Sequence, residues 1–170
     1  MRSKKWQESP AQYIARVAVI AAIYVAITLL LAPVSYGLFQ VRVSEALTVL
    51  PFISAYGVPG LALGVLIANI FGGLGLIDIV FGTLATFIAA VLTRRMPTPY
   101  LAPLPPVLVN AVIVGTYLSF MLEYPLVLAI IQVGAGQILA CYFLGLPLLL
   151  GLMRLTGPGD RWRSEKQRRP

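Results

Sequence analysis

The sequence predicts an all-α integral membrane protein of six transmembrane helices, with both termini on the cytoplasmic side. Three observations predict it. Of 170 residues, 59% are hydrophobic and 11% charged, where a soluble domain carries about 25% charged residues. The mean hydropathy is +0.88. The net charge of +7 gathers at the ends: Arg2, Lys4 and Lys5 open the chain, and GPGDRWRSEKQRRP closes it with five arginines and lysines against two acids. Beside so apolar a middle, these ends read as cytoplasmic anchors rather than nucleic-acid contacts.

A span takes about 20 residues, and the breakers place six of them in one domain. Ser9 as N-cap and Pro10 at the first helical position start a span over 11–32, stopped by Pro33. A short second helix over 44–56 can be capped by Ser44 and kinked by Pro51; as α-helix its length is about 20 Å. GVPG turns the chain into a third span, 58–71, which Gly72-Gly73 and Gly75 close. The fourth covers 78–93, ending before Arg94-Arg95. The proline-rich MPTPYLAPLPP then connects to a fifth span, 107–122. After Glu123-Tyr124-Pro125 the sixth runs over 126–153, with a kink expected at Pro147. Residues 1–8 and 154–170 are basic cytoplasmic tails, and Ile14–Ala32 is too long for the apolar region of a cleavable signal.

This count sorts the acids. Glu45, Asp78 and Glu123 are the only acidic residues between Glu8 and Asp160. Each falls at one of the three external connections. With Arg42 they describe a polar rim that opens outward. Asn69 lies at the same end of the third span, and Gln132 about 10 Å into the sixth. Asp78, Gly82 and Thr86 share one helix face. A charge at the centre of a span costs about 2.5–3.5 kcal/mol on insertion scales, so this convergence suits a site for a small polar solute. Plainer readings stand beside it. Glu45 is also a first-turn acid favoured by the helix dipole, with Arg42 snorkelling; Asp78 is also an interfacial helix start; Glu123 is also a solvated loop residue. Asn69 and Gln132 also suit interhelical hydrogen bonds. Asn110 lies nearer the cytoplasmic end and reads as structural, and Gln137 faces away from Gln132.

Other classes are narrowed by what the chain lacks. There is no histidine, and Cys141 is the only cysteine, so internal disulfides, His-based triads and Cys/His metal sites are excluded. No cofactor is expected. Lysine occurs only at positions 4, 5 and 166, so no Walker-type phosphate loop exists. The protein reads as no enzyme, and as a transporter it would draw energy from a partner. Two small-residue stripes, Ala18/Ala22/Ala26 and Gly60/Gly64/Ala68/Gly72, allow close helix approach.

Three motifs carry a resemblance: R-V-S-E-A-L-T-V-L-P (42–51), I-A-N-x-x-G-G (67–73) and G-L-x-D-I-V-F-G-T-L-A-T (75–86). In this order they resemble the QueT family, the substrate-binding S components of energy-coupling-factor (ECF) transporters for queuosine precursors. The resemblance implies an S-component-like six-helix bundle in a bacterial-type plasma membrane, with an outward pocket lidded by PVSYGLFQV. It implies a partner module of one transmembrane coupling subunit and two ATPase subunits, with Ala18, Ala22 and Ala26 docking on the former. The ligand would be a 7-deazaguanine such as the 7-aminomethyl form. A carboxylate accepts its paired N–H donors, a second meets its ammonium, and Arg42, Asn69 or Gln132 donates to its carbonyl. Tyr36, Phe39 or Tyr124 stacks on the ring. Glu45 is expected to read the base edge, and Asp78 or Glu123 the cation. An S component for another vitamin or nucleobase, and a non-transporting membrane scaffold, are the alternatives.

Overall fold

Helix α1 (Pro10–Leu30) opens with a capping box: Ser9 Oγ accepts from the Gln12 N–H at 3.3 Å, and Gln12 Oε1 from the Ser9 N–H at 3.1 Å. Proline loses nothing at the first position, where an N–H has no intrahelical partner. The computed structural model describes residues 9–35 and 41–156, and every element among them is helical. Tyr36, most of the expected lid, and the expected tails except for residues 154–156, which continue the last helix, lie outside the described residues.

After α1 come α2 (Ala32–Ser35), a 3-10 helix (Val43–Phe52) and α3 (Gly57–Gly72). A π-helical turn (Asp78–Gly82) runs into α4 (Thr83–Arg95), and a 3-10 turn (Pro99–Leu101) leads to α5 (Leu104–Met121). Then follow α6 (Leu126–Ile138), a π-helical segment (Leu139–Gly145) and α7 (Leu146–Thr156). Three continuous stretches, Pro10–Leu30, Pro99–Met121 and Leu126–Thr156, are long and apolar enough to cross a membrane. Val43–Phe52 and Gly57–Gly72 are shorter apolar helices.

The second element departs from the α-helix the sequence suggests. Its ten residues wind as 3-10 helix, and at about 2.0 Å of rise per residue they cover about 20 Å. Packing overrides propensity here. Seven of the ten side chains are buried, and the segment touches α1, α3, α4, the π segment and α7. Thr48 Oγ1 donates to the Glu45 carbonyl at 2.6 Å, the three-residue reach of this winding. Ser44 is not the cap: the N-cap position is Arg42, without a side-chain cap bond, and Ser44 Oγ accepts from Thr28 Oγ1 at 2.6 Å. At the far end the chain folds back tightly. A Cβ on Gly57 would stand 2.6 Å from the Pro51 nitrogen.

Prolines take several places: Pro105 and Pro106 act at a helix start, Pro51 lies inside the 3-10 helix, and Pro147 lies inside the continuous stretch Leu126–Thr156. Leu104 begins α5, with Pro105 and Pro106 in the first turn, where three residues need no N–H partner. Pro147 is the second residue of α7, and the irregularity it was expected to cause lies just upstream, in Leu139–Gly145. A π segment re-registers the carbonyls that a proline leaves without a donor. The third helix stops as glycine allows, with Gly73 left-handed at φ 74°.

Glycines set the two tightest helix pairs. On α3, a Cβ at Gly60 would meet Ile20 Cβ at 2.8 Å, and one at Gly64 would meet Tyr24 Cβ at 2.9 Å. This stripe therefore packs on the inner face of α1, where Ala21, Tyr24 and Thr28 are buried. Ala18, Ala22 and Ala26 are on the outer face of α1, exposed. A Cβ at Gly115 on α5 would stand 2.8 Å from Ile130 Cα on α6. Gly115→Val is expected to cost about 1–3 kcal/mol by forcing these backbones apart. Thermal unfolding in detergent reads this as a lower midpoint, and an unchanged midpoint would mean that α5 and α6 yield freely.

The large apolar side chains Leu30, Phe71, Leu76, Phe120, Phe143 and Leu155 face outward, while Thr28, Arg42, Glu45, Asn69, Asp78, Asn110 and Gln137 are buried. So many exposed large apolar side chains are not the surface of a water-soluble fold. An apolar exterior around a core that also holds charged and amide groups is what a lipid environment selects.

Candidate substrate site

Glu45 is the centre of the buried polar residues. It lies in the first turn of the 3-10 helix and is 1% exposed. Its Oε1 accepts from the Tyr24 hydroxyl on α1 at 2.5 Å, and Oε2 from Asn110 Nδ2 on α5 at 3.3 Å. Three elements thus meet on one carboxylate. Its backbone carbonyl accepts from Thr48, and Cys141 Sγ lies 3.6 Å away. Cys141 in turn donates to Gln137 Oε1 at 3.4 Å, so the cysteine is a polar link as well as a packing residue.

Asp78 is a second centre, fully buried where the π turn begins. Its Oδ1 accepts from the Tyr117 hydroxyl of α5. Its Oδ2 lies 3.9 Å from Arg42 Nη2, an ion pair that joins the start of the 3-10 helix to the start of the π turn that leads into α4. Asn69, near the end of α3, donates from Nδ2 to the Asp78 carbonyl at 3.0 Å. Gly82, one turn on, keeps this place open. A Cβ there would meet Asn69 Nδ2 at 2.7 Å and Asp78 Oδ1 at 3.3 Å. Thr86 completes the same face and is buried.

Arg42, Glu45, Asn69 and Asp78 therefore lie in one buried cluster, together with Tyr24, Asn110 and Tyr117. The other residues named from sequence lie elsewhere. Glu123 is exposed in the turn between α5 and α6, with φ at 50°. Gln132 is half-buried and donates to the Tyr124 hydroxyl at 3.0 Å. Ser119 Oγ holds the Tyr124 carbonyl at 2.6 Å, so Gln132, Tyr124 and Ser119 brace that turn. Gln137, one and a half turns further along, faces the cluster instead.

Sequence reasoning passed over Tyr24 and Tyr117, and read Asn110 as structural. Helical spacing carries the clue to each. Tyr24 and Thr28 are four apart and share the face of Ala21; Asn110, Val114 and Tyr117 are four and three apart. A polar residue repeated on one face of an apolar span marks the side turned to other polar groups.

Charge within the cluster is unequal. Two carboxylates face one guanidinium, all buried. Such groups are rare at membrane depth and mark substrate pathways when they occur. Several acceptor atoms there also lack a hydrogen-bond partner among the described residues: Asn69 Oδ1, Asp78 Oδ2 and Asn110 Oδ1. Buried polar atoms left so are few in folded proteins, and a ligand or ordered water is the common reason.

The family model of the QueT transporter matches residues 14–154. The chain belongs to the QueT transporter family. No curated protein and no solved structure matches it. The QueT match runs from α1 into α7 and takes in every member of the cluster. It is a family of transporters rather than enzymes, so this buried cluster belongs to a membrane protein that handles a small molecule.

Proposed function

We propose that this QueT-family protein is the substrate-capturing S component of an energy-coupling-factor importer in a bacterial plasma membrane, and that its ligand is the 7-aminomethyl form of a 7-deazaguanine queuosine precursor. It crosses the membrane six times with both termini inside. A coupling subunit docks on the exposed stripe Ala18, Ala22 and Ala26 of α1, and two ATPase subunits supply the energy.

One observation supports this reading above the others: Asp78 and Glu45 are both buried beside a single guanidinium, Arg42. In a dry site one carboxylate is left without a cation. A ligand with one ammonium group offsets it, and the ligand's polar edge then takes up the bare acceptors. Asp78 meets the ammonium, Glu45 the N–H edge of the base, and Arg42 the carbonyl. Glu123 and Gln132 act at the turn between α5 and α6, above the cluster, and Tyr36 on the lid stacks on the ring.

Two measurements test the proposal. Mass spectrometry of ligand extracted from purified protein is expected to find a 7-deazaguanine. Calorimetry is expected to find the aminomethyl compound at least about tenfold tighter than its neutral nitrile counterpart, a difference of about 1.4 kcal/mol. Failure of both compounds to bind would sink the assignment.

A further inference from the structure

A buried amide that contacts Glu45 lies on α5. Asn110 is 2% exposed, eleven residues in from Met121 at the end of its helix. Its Nδ2 donates to Glu45 Oε2 at 3.3 Å, and this fixes the amide. An ionised carboxylate only accepts, so the NH₂ group must face Glu45 and the oxygen must face away from it. That oxygen, Oδ1, has no hydrogen-bond partner among the described residues. Asn69 repeats the arrangement. Its Nδ2 is held by the Asp78 carbonyl at 3.0 Å, and its Oδ1 is likewise buried and without a partner. In both, one end of the amide is anchored and the other is a bare acceptor.

A bare acceptor in a dry interior costs free energy that a ligand donor recovers. Beside Asn110 Oδ1 lies the Glu45 carboxylate. Its two oxygens hold the Tyr24 and Asn110 donors, and each keeps a further lone pair. The carboxylate and the amide oxygen are thus two buried acceptors on side chains already joined to each other. The complementary ligand edge is a ring N–H next to an exocyclic amine, as in a 2-aminopyrimidin-4-one.

We infer that Asn110 is a specificity-determining residue of the site: its Oδ1 accepts from the exocyclic 2-amino group of the bound base, while Glu45 accepts from the adjacent ring N–H. The inference rests on the proposed function and sharpens it, because it separates bases bearing a 2-amino group from those without one. A purely structural Asn110 would orient Glu45 and leave that distinction untouched.

The test is a ratio of affinities. Calorimetry is run on the full chain in detergent with 7-aminomethyl-7-deazaguanine and with its analogue lacking the 2-amino group. The wild type is expected to favour the 2-amino compound by about tenfold or more. In Asn110→Ala the preference is expected to fall to within about threefold, because the 2-amino compound loses more affinity than the analogue does. Equal affinity of the wild type for the two compounds overturns the inference and leaves the proposed function standing. So does an Asn110→Ala protein in which both affinities fall by one factor and the ratio survives, the result of an Asn110 that only positions Glu45 or holds a water. Wild-type protein that binds neither compound fails at the earlier step, the proposed function. Asn110→Ser serves if the alanine variant does not fold, and equal wild-type affinities overturn the inference without either variant.

Discussion

Replacing Glu45 with leucine is expected to destabilise the protein by about 3–5 kcal/mol, the usual cost of removing one member of a buried charged network. The carboxylate is the common acceptor of the Tyr24 hydroxyl and the Asn110 amide. Its loss leaves two buried donors bare and the Arg42–Asp78 pair without a neighbouring negative charge. It also unlinks α1 and α5 from the 3-10 helix between them. Glu45→Gln is the informative partner variant, because its amide oxygen still accepts one of those donors. We expect it to retain most of the stability lost in Glu45→Leu. Thermal unfolding of both variants in one detergent measures the difference. Equal midpoints for the two variants and the wild type would mean that Glu45 joins nothing.

Asp78→Asn is expected to act on binding more than on folding. The asparagine side chain still offers Tyr117 an oxygen acceptor, and the backbone carbonyl still takes the Asn69 amide. What disappears is a buried negative charge opposite Arg42. For a cationic ligand, loss of a close buried charge partner costs about 2–5 kcal/mol, or roughly 30-fold or more in affinity. A neutral nitrile ligand has no such partner and is expected to bind this variant about as well as the wild type. The selectivity of the site would therefore flatten or reverse. An Asp78→Asn protein that keeps its preference for the cation would assign the ammonium to a different acid, with Glu45 the next to substitute.

The parts of this molecule that sequence made legible are those set by local chemistry or by composition. Ser9 and Pro10 start α1 because a hydroxyl and a missing N–H suit that one position. Gly73 ends α3 because a left-handed residue is needed there. The gathering of Arg42, Glu45, Asn69 and Asp78 followed from counting turns, since charges in an apolar chain have few places to go. The winding of the second element did not follow. Its 3-10 form depends on burial against five other elements, and on packing as close as a Gly145 Cβ position 2.9 Å from the Ala46 carbonyl. The two π segments are hidden for the same reason, because backbone register within a helix leaves no mark on hydrophobic periodicity. Tyr24 and Tyr117 were passed over because a tyrosine in an apolar span reads first as a ring, and only the fold reveals where its hydroxyl ends. Glu123 shows the opposite failing. Its place in the chain put it at the right end of the bundle, but the turn that holds it faces out.

The 3-10 segment also has a mechanical side. Wound as α-helix, its ten residues would be about 15 Å long instead of about 20 Å. The chain is thus held at nearly its longest helical extension, like a drawn spring, with Arg42 at one end and the Gly57 turn clamped on Pro51 at the other. Taking up even one turn of slack would draw Arg42 inward along the bundle by an ångström or two, while the surrounding helices stay where they are. Since Arg42 is the ion-pair partner of Asp78, a small change of pitch would shift the counter-charge of the buried cluster without moving the helices around it.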